Sequence, residues 1–180
     1  MLSEGKAELL IMGKAKRKFR NLIFFIIDVF WVGFIFGNSL KDATESSAAS
    51  KPFSEVLFWI MKQFNSESFF ALADYYVRKA AHFAEFFILG LLLFFSFAPK
   101  YYHQKKSGKL LIKTIGLGLT ICSLDEFLQF FSKGRNPATK DIIIDFCGVA
   151  TAVIIGSMIF YGKKRRLKKE ERKEIEEDEE

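Results

Sequence analysis

Phe86-Phe87-Ile88-Leu89-Gly90-Leu91-Leu92-Leu93-Phe94-Phe95 contains no polar side chain, so a helix built from it is apolar on every face. A helix at the surface of a soluble bundle keeps a polar face, whereas one that is greasy all round belongs in a large core or a bilayer. The run extends to Ala80–Ala98, and Leu22–Leu40, Leu110–Phe131 and Ile142–Tyr161 are of similar character. A hydrocarbon core about 30 Å thick takes roughly 20 residues of helix at ~1.5 Å each, which all four stretches meet or approach. The pattern predicts an all-α, polytopic membrane protein with about four transmembrane helices, over residues 22–40, 80–98, 110–131 and 142–161.

Half of the 180 residues are hydrophobic, 22 of them Phe, and the net charge of +6 lies mainly in short segments flanking the apolar runs. Nucleic-acid binding would want a basic face on a soluble domain, and no such face is visible. Basic residues beside apolar spans report orientation instead. Lys14, Lys16, Arg17, Lys18 and Arg20 precede the first span, and Lys100, Lys105, Lys106, Lys109 and Lys113 surround the second connection. Lys163, Lys164, Arg165, Arg166, Lys168 and Lys169 follow the fourth. The positive-inside rule then places both termini and the middle connection in the cytoplasm of a multi-pass cell-membrane protein. Residues 1–21 form a basic cytoplasmic N-terminus, 22–161 the membrane domain with an external segment over 41–79, and 162–180 a charged cytoplasmic tail. The first span is long, contains Asp28 and lacks a small-x-small cleavage site, so it reads as a retained anchor.

Within the external segment, Lys41–Ser47 reads as loop. Phe53, Val56, Leu57, Ile60, Met61 and Phe64 then recur at helical spacing, with Pro52 in the first turn. That is an amphipathic helix lying in the outer headgroup region on its Trp59 anchor, with packing onto the bundle as the alternative. Asn65 or Ser66 is a candidate cap for a helix continuing into the second span. The tail, ending Glu176-Glu177-Asp178-Glu179-Glu180, reads as a solvated, mobile segment whose basic half faces anionic lipid. Cys122 and Cys147 fall within spans without metal-ligand spacing and read as buried thiols filling small gaps.

Polar residues gather where the spans meet the outer face. Arg78, His82 and Glu85 share one helix face, with Lys79 beside them. On the third span Asp125 and Glu126 lie about 10 Å below the outer end, with Gln129 one turn higher. Gly134, Asn136 and Pro137 mark a tight turn holding Arg135, and Asp141 and Asp145 share a face at the start of the fourth span. Taken singly, each acid could be neutralising an Arg or Lys between helices. Five interior acids together would be a costly way of joining short helices, at roughly 2.5–3.5 kcal/mol each at mid-bilayer and less near the edge. An imidazole among carboxylates suits general acid–base work, with His82, Glu85, Asp125 and Glu126 as catalytic candidates. The same donors could hold a divalent cation, although no HExxH-like spacing points to a metal, and no cofactor is indicated. Arg78, Lys79 and Arg135 suit a phosphate or carboxylate, with Gln129, Asp141 and Asp145 completing the ligand-binding set. Below this layer Phe86–Ala98, Thr114–Leu124 and Phe146–Tyr161 carry no charge. A transporter needs a polar path through the full depth, and Asp28 alone does not make one. Asp28 is expected to pair with the cluster or with a polar backbone site.

The series Arg78-Lys79-x-x-His82-Phe83-x-Glu85-Phe86, Asp125-Glu126-x-x-Gln129-x-Phe131-x-x-Gly134-Arg135 and Asp141-x-x-x-Asp145-x-x-Gly148 resembles the VanZ-like family of bacterial membrane proteins. The resemblance runs from about Asn38 to Gly156, and Asn38-Ser39 with Ser47 and Ser50 is similar to the family's looser serine-containing region. Glu85-Phe86 stands where the family often has an acid or polar residue before Tyr, and Ser132-Lys133 replaces a commoner proline-containing link. The resemblance implies a small multi-span protein of the cell envelope, and a founding member associated with resistance to the glycopeptide teicoplanin; it implies no particular reaction.

The expectation is a polar pocket at the outer leaflet that binds membrane lipid or a lipid-linked cell-wall precursor and, in the enzyme form of this reading, modifies it. The alternative is a non-catalytic membrane module whose charged layer is structural or binds a partner protein.

Overall fold

The structure, a computed structural model, describes residues 4–62, 70–101, 108–135 and 138–178. It is all-α: α1 (Glu4–Ser39), α2 (Ala43–Lys62), α3 (Phe70–Tyr101), α4 (Gly108–Gln129) and α5 (Thr139–Asp178). Asn65, Ser66, Lys105, Lys106, Asn136 and Pro137, on which some of the expectations above rest, lie outside the described residues, as does Glu179-Glu180. Met12–Ser39, Tyr75–Tyr101 and Thr139–Glu177 are long and apolar enough to cross a membrane. α4 differs because Lys113 and the pair Asp125-Glu126 leave only Thr114–Leu124 uncharged between them.

α3 and α5 form the most extensive interface; α4 packs on both, α1 on α3 and α4, and α2 on α3. The α3–α5 seam is close because it is built on glycine. A Cβ at Gly148 would stand 2.5 Å from the Phe83 carbonyl oxygen and 2.9 Å from the Phe87 amide nitrogen, and one at Gly90 would stand 2.7 Å from the Ala152 Cβ. Phe86, Leu89, Phe94, Leu110 and Val149 are fully buried around this seam. Phe25, Phe30, Ile112, Phe131 and Met158 face outward. In a membrane protein that surface is solvated by acyl chains, so burial inside the protein is confined to where helices touch.

The polar stretch before α2 is helical from Ala43 onward, not a loop. Asp42 and Glu45 form a reciprocal cap: Asp42 Oδ1 accepts from the Glu45 amide at 2.8 Å, and Glu45 Oε2 accepts from the Asp42 amide at 3.2 Å. This two-way bonding satisfies amides that a helix start leaves without partners. Pro52 therefore lies well inside the helix rather than in its first turn. Of the stripe, Phe53, Val56 and Ile60 are exposed, as is the anchor Trp59, but Leu57 is half-buried, as is Phe58, and Ser50 is buried; Phe64 lies outside the described residues. Ser50, Ser54, Leu57 and Phe58 share the more buried side of α2, while Phe53, Val56, Trp59 and Ile60 lie on the exposed side.

The Thr44 hydroxyl and the Glu45 amide hold the Asp42 carboxyl below its ordinary range. A depressed folded-state pKa stabilises above the unfolded value and the contribution is lost as pH falls through the folded one, so the cap weakens only below about pH 4. Asp42→Ala should speed amide exchange over Ala43–Ser47 about fivefold at neutral pH, with Asp42→Asn close to wild type. Equal exchange in all three proteins would remove the cap from the account.

α5 continues through the charged segment to Asp178, so residues 162–178 are helical, and nearly all of them are exposed. Arg166 and Glu170, Arg172 and Glu176, and Lys173 and Glu177 stand four apart, the spacing at which opposite charges support a helix, and Lys, Arg and Glu favour helix intrinsically. Of the cysteines, Cys122 is buried as expected but Cys147 is exposed, on the outward side of α5. A lipid-facing surface accepts a small apolar thiol as readily as a core does.

Candidate functional site

The polar residues meet where the C-terminal ends of α1 and α4 come beside the N-terminal parts of α3 and α5. At the centre lie His82, Asp125 and Asp145, each offering a ligand atom within 4.8 Å of the others. Asp125 and Asp145 are completely buried. Asp125 is held on both sides, accepting from Ser39 Oγ at 2.6 Å through Oδ1 and from Gln129 Nε2 at 3.1 Å through Oδ2. Gln129 reaches it because i and i+4 lie one above the other on a helix. Asp145 is the opposite case: among the described residues neither carboxylate oxygen has a hydrogen-bond donor, and its Oδ1 is 3.6 Å from His82 Nδ1, which is buried and likewise without a partner among them.

Around this centre the remaining residues take distinct places. Asn38 Nδ2 donates to Glu85 Oε1 at 2.8 Å, and Trp31 Nε1 donates to the Glu85 carbonyl at 3.0 Å. Lys79 forms an ion pair with Asp141 and its ammonium sits 5.3 Å from the centre of the Tyr75 ring. Arg135 follows Gly134, whose φ of 75° lies in the left-handed region that a side chain disfavours. A guanidinium nitrogen of Arg135 donates to the Asn38 carbonyl at 3.2 Å, while its Nε is buried without a hydrogen-bond partner among the described residues. Burial and the neighbouring Arg78 guanidinium lower the Arg135 pKa from its ordinary value. Arginine nevertheless keeps its proton in proteins, so an under-satisfied cation remains.

Glu126 does not join the centre. Adjacent residues on a helix point about 100° apart, so with Asp125 turned inward Glu126 faces the other side of α4. There it accepts a hydrogen bond from the Ala138 amide just ahead of α5. Asp28 is likewise apart. It accepts from Ser96 Oγ at 2.7 Å, about 16 Å below Ser39 by helix rise, instead of pairing with the cluster or a backbone site.

Two recesses lie beside the centre and meet it at His82. The larger, about 460 Å³, is lined by Asn38, Lys41, Arg78, His82, Glu85 and Arg135, with Ala49, Phe53 and Val77 among its apolar walls. The smaller, about 320 Å³, is lined by Arg78, Lys79, His82, Gln129, Arg135 and Asp141 among others. Arg78, His82 and Arg135 border both.

A family model for VanZ/LLP1 matches residues 19–161. The chain belongs to the VanZ/LLP1 family. No curated protein and no solved structure matches it. The VanZ/LLP1 match covers α2 and α3 whole and most of α1, together with all of α4 and the apolar part of α5.

Four partners that the geometry supplies, Trp31, Asn38, Ser39 and Lys41, were not among the sequence candidates. The signal available for them was a polar pair, Asn38-Ser39, closing an otherwise apolar run. Such a pair looks like a helix end in sequence, and only the placement of α1 against α3 and α4 turns it into two hydrogen-bond donors.

Proposed function

We propose that this protein binds an anionic amphiphile, a lipid or a lipid-linked cell-wall component, in the recess at the outer leaflet. In the enzyme form of the reading it also modifies that component. The observation that carries the reading is the make-up of the larger recess. Arg78, Arg135 and Lys41 supply positive charge at a rim continuous with Phe53, and Val56, Trp59 and Ile60 extend an exposed apolar surface along α2. A headgroup finds cations and its chains find a greasy shelf. The reading takes α1, α3, α4 and α5 as four crossings, α2 as an external helix at the headgroup level and both termini as cytoplasmic, on the flanking basic residues. Lys113 lies near the start of α4, where its long side chain can reach an interface, and Asp125 near the other end is satisfied inside the protein by Ser39 and Gln129. His82 and Glu85 are the acid–base candidates, Asp125 and Asp145 shape the charge beneath them, and Lys79, Asp141 and Gln129 line the neighbouring recess. Envelope lipids and precursors, profiled in cells with and without the protein, should differ by a component that also co-purifies with it. Arg78→Ala with Arg135→Ala should reduce its co-purification at least tenfold, since losing each charged hydrogen bond costs about 1.5–3 kcal/mol. Unchanged co-purification, or identical profiles, would end this reading.

A second reading is favoured by the Lys79–Asp141 ion pair, which joins α3 to α5 and leaves neither charge needing a ligand. There the charged layer is a structural lock or a partner surface. Lys79→Asp combined with Asp141→Lys should then restore a function that either change alone abolishes. A binding site that uses Lys79 as a cation would not tolerate the exchange.

A further inference from the structure

We propose that His82, Asp125 and Asp145 hold a divalent transition-metal ion beside the two recesses that His82 borders. The proposal starts from Asp145, which is completely buried with neither carboxylate oxygen accepting a hydrogen bond from any of the described residues. Leaving a buried acceptor unmade is costly, more so for a charged one. Among the described residues His82 Nδ1 is likewise a buried atom without a hydrogen-bond partner, and it stands 3.6 Å from Asp145 Oδ1, beyond hydrogen-bond distance. An imidazole nitrogen and a carboxylate, buried side by side and not hydrogen-bonded, can both be satisfied by one shared cation. Asp125 completes the set within 4.8 Å, and the Ser39 and Gln129 hydrogen bonds fix its carboxylate while leaving lone pairs free. Such outer-shell bonds orient metal ligands in many sites.

The geometry suits a small ion. With bonds of about 2.1 Å to nitrogen and oxygen, tetrahedral donors stand roughly 3.4 Å apart. The imidazole and Asp145 already approach that spacing, and the widest separation need close by no more than about 1.4 Å, within the reach of side-chain rotation. One imidazole with two carboxylates favours zinc or a neighbouring first-row ion over magnesium or calcium, which prefer all-oxygen shells. Three protein ligands leave at least one coordination position for water or for a phosphate or carboxylate oxygen, and His82 borders both recesses.

The site is independent of the amphiphile reading because metal can be measured without lipid substrate. The test uses the full chain, purified in detergent with any histidine tag removed, stripped of metal and titrated with Zn2+ and with Co2+. About one ion per chain should bind, with a rise in the thermal midpoint and Co2+ ligand-field bands in the visible range. His82→Gln and Asp145→Asn should each weaken binding at least tenfold, whereas Asp28→Asn, outside the cluster, should bind as wild type does. Should Asp145→Asn not fold, His82→Gln decides, since its partly exposed side chain can be exchanged with less disturbance. Less than about a tenth of an ion per wild-type chain under saturating Zn2+, or His82→Gln binding equal to wild type, overturns the proposal. A chain that holds the ion but no amphiphile overturns only the function proposed above.

Discussion

Gly148→Val should prevent the protein from accumulating in the membrane in a folded form. The first atom added, a Cβ, would lie 2.5 Å from the Phe83 carbonyl oxygen, 2.9 Å from the Phe87 nitrogen and 3.2 Å from the Phe86 carbonyl carbon. All three are backbone atoms of α3, so no side chain can rotate out of the way. The helices would have to separate along their largest interface, which also carries Phe86, Leu89 and Val149. In a bilayer that loss is severe, because helices associate there through close van der Waals packing rather than through release of water. Overpacking in a well-filled core costs typically 1–3 kcal/mol, and a fixed backbone contact puts this case at or above about 3. Gly148→Ala should show the same defect in milder form. Gly116→Ala is the control: nothing lies within 4 Å of its Cβ position, and Ala is the better helix former by about 1 kcal/mol. Detergent-solubilised yield and thermal midpoint for the three variants give the ranking, and a Gly148→Val protein as stable as Gly116→Ala would contradict the close seam.

The membrane character and the all-α class were legible in sequence because they depend on composition along a single helix, as in Phe86–Phe95. The partners of individual polar groups were less so. Asp125 and Glu126 look equivalent in sequence, yet adjacent helical positions diverge, and only packing shows that Asp125 turns to Ser39 while Glu126 turns to Ala138. Arg78, His82 and Glu85 follow from a helix face, and all three border the larger recess. Asp28 was legible as an oddity but not in its partner, since Ser96 sits inside an apolar run and carried no mark of its own. The start of α2 could have been read correctly: Asp42-Ala43-Thr44-Glu45 is a capping-box pattern, outweighed by the polarity of the stretch around it. The continuation of α5 was legible in the same way, through opposite charges four apart along an exposed segment.

Asp125→Ala and Asp125→Asn should part company, and the difference separates what the residue does for the fold from what it does in the site. Asp125 is completely buried, Ser39 is 1% exposed and Gln129 5%, so the three form a buried network between α1 and α4. Alanine removes both acceptors at once. The Ser39 hydroxyl and the Gln129 amide would be left as buried donors at about 1–3 kcal/mol each, with a small void added, for a loss of roughly 3–5 kcal/mol. Asparagine keeps a carbonyl oxygen for Ser39, and its amide can donate to Gln129 once that side chain turns its own oxygen inward. Asp125→Asn should therefore insert and unfold nearly as wild type does, while Asp125→Ala is recovered in much lower yield. What asparagine lacks is the negative charge. In the proposed site that charge is one of two anionic ligands offsetting a divalent ion, so Asp125→Asn should bind Zn2+ at least tenfold more weakly and lose activity in the enzyme form of the reading. Thermal melting of both variants checks the first half, and metal titration of the stable one checks the second. A protein whose Asp125→Asn variant keeps its full metal affinity and its full cellular effect uses Asp125 only to hold α1 against α4.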